Sequence, residues 1–237
     1  MIRRLHLPAL KPEDVKPHLA KKEHWKPGHS AKELADAWWN ADNTDNDFPA
    51  PVRTVLNTAP EYKAAKLVDG FFEHEVKLRS PGRNSQTDLM VIADLGDELS
   101  VIAVEGKVEE PFAELVSVWN DSPGKQTRLE SLCITLGLDP ANVGHLRYQL
   151  FHRTASAIYE AKRYHCRHAM MLVHSFSSTH RWFDDFAAFS RALGIPVEQP
   201  GLCSSAKEYE GVSLRLAWTG APFKPAFGLS GEVTFPR

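Results

Sequence analysis

Two apolar, β-branched runs at residues 85–93 and 99–107 constrain this chain more than any other feature. The short polar link between them, Asp94-Leu95-Gly96-Asp97-Glu98, carries a Gly and acidic turn formers, so the pair reads as a β-hairpin. Side chains alternate along a strand, so Glu105 and Lys107 share one face while Val104 and Gly106 share the other. Antiparallel pairing about the middle of the link sets Asp88, near the start of the first strand, opposite Glu105, near the end of the second. Two adjacent carboxylates suit a hard divalent cation through oxygen ligands. A Lys beside them can position or deprotonate a water, or offset phosphate charge. The competing reading of the Glu-x-Lys pair is an ordinary charged strand end.

Asp88 and Glu105-Gly106-Lys107 resemble the PD-(D/E)XK nuclease superfamily, the restriction-endonuclease-like fold. Thr87 stands where that motif usually has Pro. The stretches around Gln86-Thr87-Asp88, Val104-Glu105-Gly106-Lys107 and Leu146-Arg147-Tyr148-Gln149-Leu150 also resemble a family of uncharacterised bacterial proteins. The superfamily resemblance implies that Asp88 and Glu105 bind Mg²⁺ or Mn²⁺ and that Lys107 serves the hydrolytic water. It also implies an α/β fold with an α-β-β-β-α-β core at about residues 60–175. That core is a mixed central sheet flanked by helices, here with an added N-terminal helix and C-terminal strand. A further acidic ligand is expected from the element before the hairpin, and Glu73 or Glu75 is favoured over Glu61 and Asp69. The expected partner is nucleic acid, DNA rather than RNA, and dimers are common in that superfamily.

The 237 residues, 43% of them hydrophobic, suffice for one domain over 30–237. Residues 1–29 hold Pro8, Pro12, Pro17 and Pro27 among many Lys and His, and read as an arm on the surface or poorly ordered. No run of apolar residues is long enough for a membrane span, and the N-terminus lacks the apolar region of a secretion signal, so a cytoplasmic protein is expected. Three widely spaced cysteines suit a reducing compartment. The net charge of −2 gives no electrostatic footprint for nucleic acid.

Ser30-Ala31-Lys32-Glu33 reads as a capping box opening a helix to about Trp39, with Trp38 and Trp39 as anchors and a polar stop at 40–47. Helices are expected from near Pro51, over 60–69, and over about 112–120, 123–136 and 144–164, with a strand at 71–78 and a turn at 80–84. On the last helix Leu146, Leu150, Arg153 and Ala157 form an inward stripe. Arg153 on that stripe needs a partner, and Gln149 projects beside it, so both are candidates to support the site. An internal Arg–carboxylate bridge is the alternative. The same segment concentrates His145, Arg147, His152, Arg153, Lys162, Arg163, His165, Arg167 and His168 against one acid, Glu160, a basic stretch suited to a phosphate backbone. Residues 169–174 read as a buried parallel strand, 177–193 as a helix and 212–218 as a strand at a sheet edge. His165-Cys166-Arg167-His168 lacks a second pair at zinc-finger spacing.

The nuclease reading has two rivals: a protein that keeps the fold for binding or regulation without catalysis, and a metal-free hydrolase using paired carboxylates. The latter leaves Lys107 unexplained.

Overall fold

The computed structural model describes residues 9, 11–19, 22–41, 48–80 and 82–220. Residues 1–8, 10, 20 and 21 of the expected arm, positions 42–47 of the polar stop, Pro81 of the turn and residues 221–237 lie outside them.

A six-stranded mixed sheet organises the chain. Its strands are β1 (Lys66–Val76), β2 (Ser85–Asp94), β3 (Leu99–Lys107), β4 (His168–Ser175), β5 (Lys207–Tyr209) and β6 (Val212–Gly220), in the spatial order β1-β2-β3-β4-β6-β5. The first three are antiparallel neighbours, β4 runs parallel to β3 and β6 parallel to β4, and β5 pairs antiparallel with β6. The hairpin has the expected register, from Leu89 opposite Val104 to Asp94 opposite Leu99. In its link Asp94 Oδ1 accepts from the Gly96 N–H at 2.8 Å, and the Leu95 N–H donates to the Glu98 carbonyl at 2.9 Å.

Helices cover both faces. On one lie α1 (Ser30–Trp39) and α2 (Ala50–Leu56), packing Leu34, Trp38, Val52 and Leu56 against Ile102, Val104, Met170 and Leu172. On the other lie α4 (Pro123–Leu136), α5 (Tyr148–Arg163) and α6 (Phe183–Ala192), which follow the four-residue α3 (Val116–Trp119). Leu132, Phe151, Ile158 and Phe189 there meet Val101, Ala103, Met171 and Leu216. Alternate residues of β3 thus enter different cores, which is why its sequence is apolar almost throughout. At the end of α4, Gly137 takes the left-handed conformation (φ 64°), and the Leu138 N–H returns to the Cys133 carbonyl at 2.9 Å.

Gly106 lets α1 approach the sheet: a Cβ there would stand 3.4 Å from both Ser30 Cβ and the Ser30 carbonyl oxygen, and 3.5 Å from Leu34 Cβ. Gly106→Val is expected to lift α1 and cost about 1–3 kcal/mol, read as a lower urea midpoint. An unchanged midpoint would show that α1 yields freely.

Several local expectations need correction. Residues 60–69 form no helix; a single 3₁₀ turn at Pro60–Tyr62 leads directly into β1. The N-cap of α1 is His29 rather than Ser30, and the Glu33 carboxylate reaches back to the Gly28 N–H at 2.8 Å. Trp38 is buried and donates to His174 Nδ1 at 3.1 Å, but Trp39 is exposed. The helix expected from Ser177 begins at Phe183, because His180 and Trp182 adopt left-handed φ of 51° and 72°. β6 lies inside the sheet, with the short β5 at the edge. The arm carries 3₁₀ turns at Pro12–His18 and Lys22–His24, and Val15 is buried.

Candidate functional site

The site is built where β3 ends beneath the first half of α5. Glu105 and Lys107 point together toward α5, and the Lys107 ammonium donates to Glu105 Oε1 at 2.9 Å. Gln149 bridges the two: its Nε2 donates to Glu105 Oε1 at 2.6 Å, and its Oε1 accepts from Lys107 Nζ at 3.2 Å. One turn later Arg153 donates through Nε to Glu105 Oε2 and through Nη2 to Asp88 Oδ1, the latter at 3.4 Å. The Phe112 ring lies 4.9 Å from Lys107 Nζ and backs the ammonium. Glu105 is 2% exposed, Lys107 3% and Arg153 7%, so these charges are held by one another rather than by water.

Asp88 reaches the cluster where the hairpin ladder gives out. Regular pairing extends as far as Leu89 opposite Val104. One step beyond, Asp88 Oδ2 accepts from the Gly106 N–H at 2.9 Å and ties the two strands together. Of the two further acids favoured, Glu73 is at the site and Glu75 is not. Glu73 lies between the Phe72–Leu89 and His74–Thr87 pairs, across from Asp88. Its left-handed φ of 53° interrupts the regular alternation of β1. Glu75 is exposed and accepts from Asn84 Nδ2 at 2.8 Å. Glu61 is committed elsewhere, to Arg215, and Asp69 is exposed.

Three acids share two cations, and their ionisation follows from that imbalance. Burial, Asp88 and Glu105 lift Glu73 to about 8, against the pull of Arg153. Burial and Glu105 lift Asp88 to about 7, against Arg153 and Lys107. Burial alone would raise Glu105 too, but the charges and hydrogen bonds of Arg153 and Lys107 hold it below the usual carboxylate range. Burial opposes the Arg153 charge, yet Glu105 and Asp88 keep it firmly protonated. The arrangement is therefore an ionised Glu105 flanked by two carboxyls that retain protons near neutrality.

Two participants had no distinct sequence signal. Ser85 Oγ accepts from Arg153 Nη1 at 3.3 Å and lies 2.8 Å from His152 Nδ1. The Ser85 hydroxyl donates to that nitrogen or accepts from its N–H according to the His152 tautomer. His152 stays neutral because burial and the charges of Arg153, Arg128 and Lys107 push its pKa far down. Ser85 looked like a strand opener, and His152 one of many basic residues.

The basic stretch is largely neutralised by acids, most of them distant in sequence. Arg147 pairs with Asp185 at 2.9 Å, Lys162 with Glu210 at 2.6 Å, Arg163 with Glu160 at 3.1 Å and Arg167 with Glu98 at 3.0 Å. His168 also reaches Glu98. The expected stripe of cations is thus, for these members, a set of ion pairs.

Among the described residues, no three His, Cys, Asp or Glu side chains stand arranged to hold a metal ion by themselves. Mg²⁺, however, is commonly held by one or two carboxylates together with water and substrate oxygen. Asp88 and Glu105 supply that donor chemistry, and the raised Asp88 and Glu73 mark an excess of negative charge that a cation would relieve. Both oxygens of Glu105 already accept hydrogen bonds.

Fold and site together define an α/β protein whose mixed sheet carries a buried carboxylate–lysine–arginine cluster at the carboxyl end of β3. The chain belongs to the family described as a domain of unknown function, DUF6946, whose model matches residues 8–222. No curated protein and no solved structure gives a match. Among the described residues, no helix is long and apolar enough to cross a membrane.

Proposed function

We propose that this protein hydrolyses phosphodiester bonds of nucleic acid, with DNA the expected substrate, using Mg²⁺ or Mn²⁺. One observation carries the reading: Asp88, Glu105 and Lys107 of one hairpin converge with Gln149 and Arg153, some forty residues further on, in a single buried cluster. The succession β1-β2-β3-α5-β4 supports the reading, although α2 at 50–56 stands in for the helix expected over 60–69 and α3 and α4 intervene before α5, and the cluster sits at the carboxyl end of the parallel pair β3 and β4. That is where open α/β sheets tend to bind ligands.

In this reading Asp88 and Glu105 hold the divalent ion, which when bound lowers the pKa of water and stabilises charge on phosphate. Lys107, fixed between Glu105 and Gln149, orients the attacking water. Gln149 sets the spacing of Glu105 and Lys107. Asp88, anchored on the Gly106 N–H, keeps the two strands in step.

A second reading, binding without catalysis, is favoured by the guanidinium of Arg153 across both carboxylates, an arrangement that gives Asp88 and Glu105 a cationic partner with no added ion. Cleavage of single- and double-stranded DNA and RNA with Mg²⁺ or Mn²⁺, against an EDTA control and folded Lys107→Ala, separates the two. Metal-dependent cutting, lost on substitution by about a hundredfold or more, is the expected result. A folded wild type that cuts nothing and takes up no Mn²⁺ in calorimetry would establish the second.

A further inference from the structure

Glu105 and Asp88 are bridged by a cation that belongs to the chain itself. The Arg153 fork spans them, with Nε on Glu105 and Nη2 on Asp88, while its remaining nitrogen, Nη1, donates to Ser85. Lys107 cannot do the same work, since its ammonium engages Glu105 and Gln149. Arg153 emerges from α5 on the inward stripe with Leu150 and Ala157, both fully buried, while Leu146, also buried, precedes the helix, which starts at Tyr148 rather than near 144. Behind Arg153, the His152 imidazole shares a hydrogen bond with the Ser85 hydroxyl and fixes the oxygen that holds Nη1. The guanidinium is therefore anchored from both sides, over the two carboxylates that a divalent ion would need.

We propose that Arg153 is the resident cation of the carboxylate pair and sets its metal affinity, a divalent ion binding as the guanidinium gives up Asp88 and Glu105. The inference rests on the metal-binding part of the reading above and adds how that binding is controlled. Occupancy by Arg153 multiplies the intrinsic affinity by the fraction of molecules whose carboxylates are free, so the ion binds weakly until that contact is released. Hydrolysis itself can be present or absent without affecting this competition.

The test is Mn²⁺ titration calorimetry on the full chain at fixed pH, comparing wild type, Arg153→Gln and Arg153→Lys, with thermal melts in EDTA and in excess Mn²⁺. Arg153→Gln is expected to bind Mn²⁺ at least about tenfold more tightly than wild type, since removal of an internal competitor frees the competent state. Its melting point falls in EDTA and rises further on Mn²⁺ addition than that of wild type. Arg153→Lys keeps the charge but cannot span both carboxylates, and it too is expected to bind more tightly. If the Lys variant matches wild type and the Gln variant alone gains, loss of charge rather than release of the fork is responsible and the proposal is overturned. Equal or weaker binding in both variants also overturns it, even where wild type cuts nucleic acid. A wild type that neither binds Mn²⁺ nor cuts, beside variants that do bind it, would uphold the Arg153 role and end the nuclease reading.

Discussion

Glu105→Ala is expected to destabilise the protein by about 3–5 kcal/mol, the cost of stranding buried charge. Both oxygens of Glu105 are in use, by Lys107 and Gln149 on one and Arg153 on the other. With the carboxylate gone, an ammonium 3% exposed and a guanidinium 7% exposed keep only Asp88 and Glu73 as nearby counter-charges, and those two acids favour their protonated forms near neutrality. Urea denaturation in EDTA measures the effect without metal. Glu105→Gln, which preserves shape and one acceptor oxygen, should cost less. Loss of activity in Glu105→Ala is therefore interpretable only beside a folding measurement, because Glu105 is part of what holds β3 and α5 together. Stability equal to wild type would mean that water reaches Lys107 and Arg153 and that their pairing with Glu105 contributes little.

The second large effect is on pH. A carboxyl whose pKa is raised in the folded state contributes stability that is complete below its unfolded pKa and is lost as pH climbs through the folded value. Asp88 rises to about 7 and Glu73 to about 8, so in EDTA stability should decline from about pH 4 to about pH 8. Glu105 works in the opposite sense: its lowered pKa contributes stability above the unfolded value, lost only in acid. Because Asp88 and Glu73 repel one another and the Asp88 side chain is 20% exposed, their combined decline should be about 2–4 kcal/mol rather than the sum of two independent shifts. Urea midpoints at pH 5, 6.5 and 8 would trace it. Asp88→Asn keeps an acceptor for the Gly106 N–H while removing one of the repelling charges, so it should flatten the profile and gain on wild type at pH 8. A wild-type profile rising between pH 5 and 8 would contradict this account of the cluster.

The sequence made the centre of the site legible because it is encoded locally. The hairpin register and the strand period of two bring Asp88, Glu105 and Lys107 together, and the helical stripe through Leu150 and Ala157 adds Arg153, with Gln149 one turn before it. What escaped depends on long-range or non-repetitive geometry. Residues 66–70 of β1 are mostly exposed at the outer edge of the sheet, so the expected alternation of an inner strand is absent and the segment passes for helix. Glu73 could not be told from Glu75 because a left-handed residue inside a strand interrupts the alternation that pattern reading relies on. The basic stretch is almost unopposed within its own sequence because Glu98, Asp185 and Glu210, which answer it, lie elsewhere in the chain.

The chain of contacts from His152 through Ser85 and Arg153 to the carboxylates transmits position but insulates against protons. A guanidinium does not surrender a proton at any pH the fold tolerates, so hydrogen ions cannot hop along this line from the imidazole to Asp88. Protons that Asp88 and Glu73 take up or release must instead travel through solvent on the partly open side of the cluster. α5 thereby carries a histidine one residue from the central arginine without adding a titrating group to the circuit, and the proton inventory of the site stays a property of its acids.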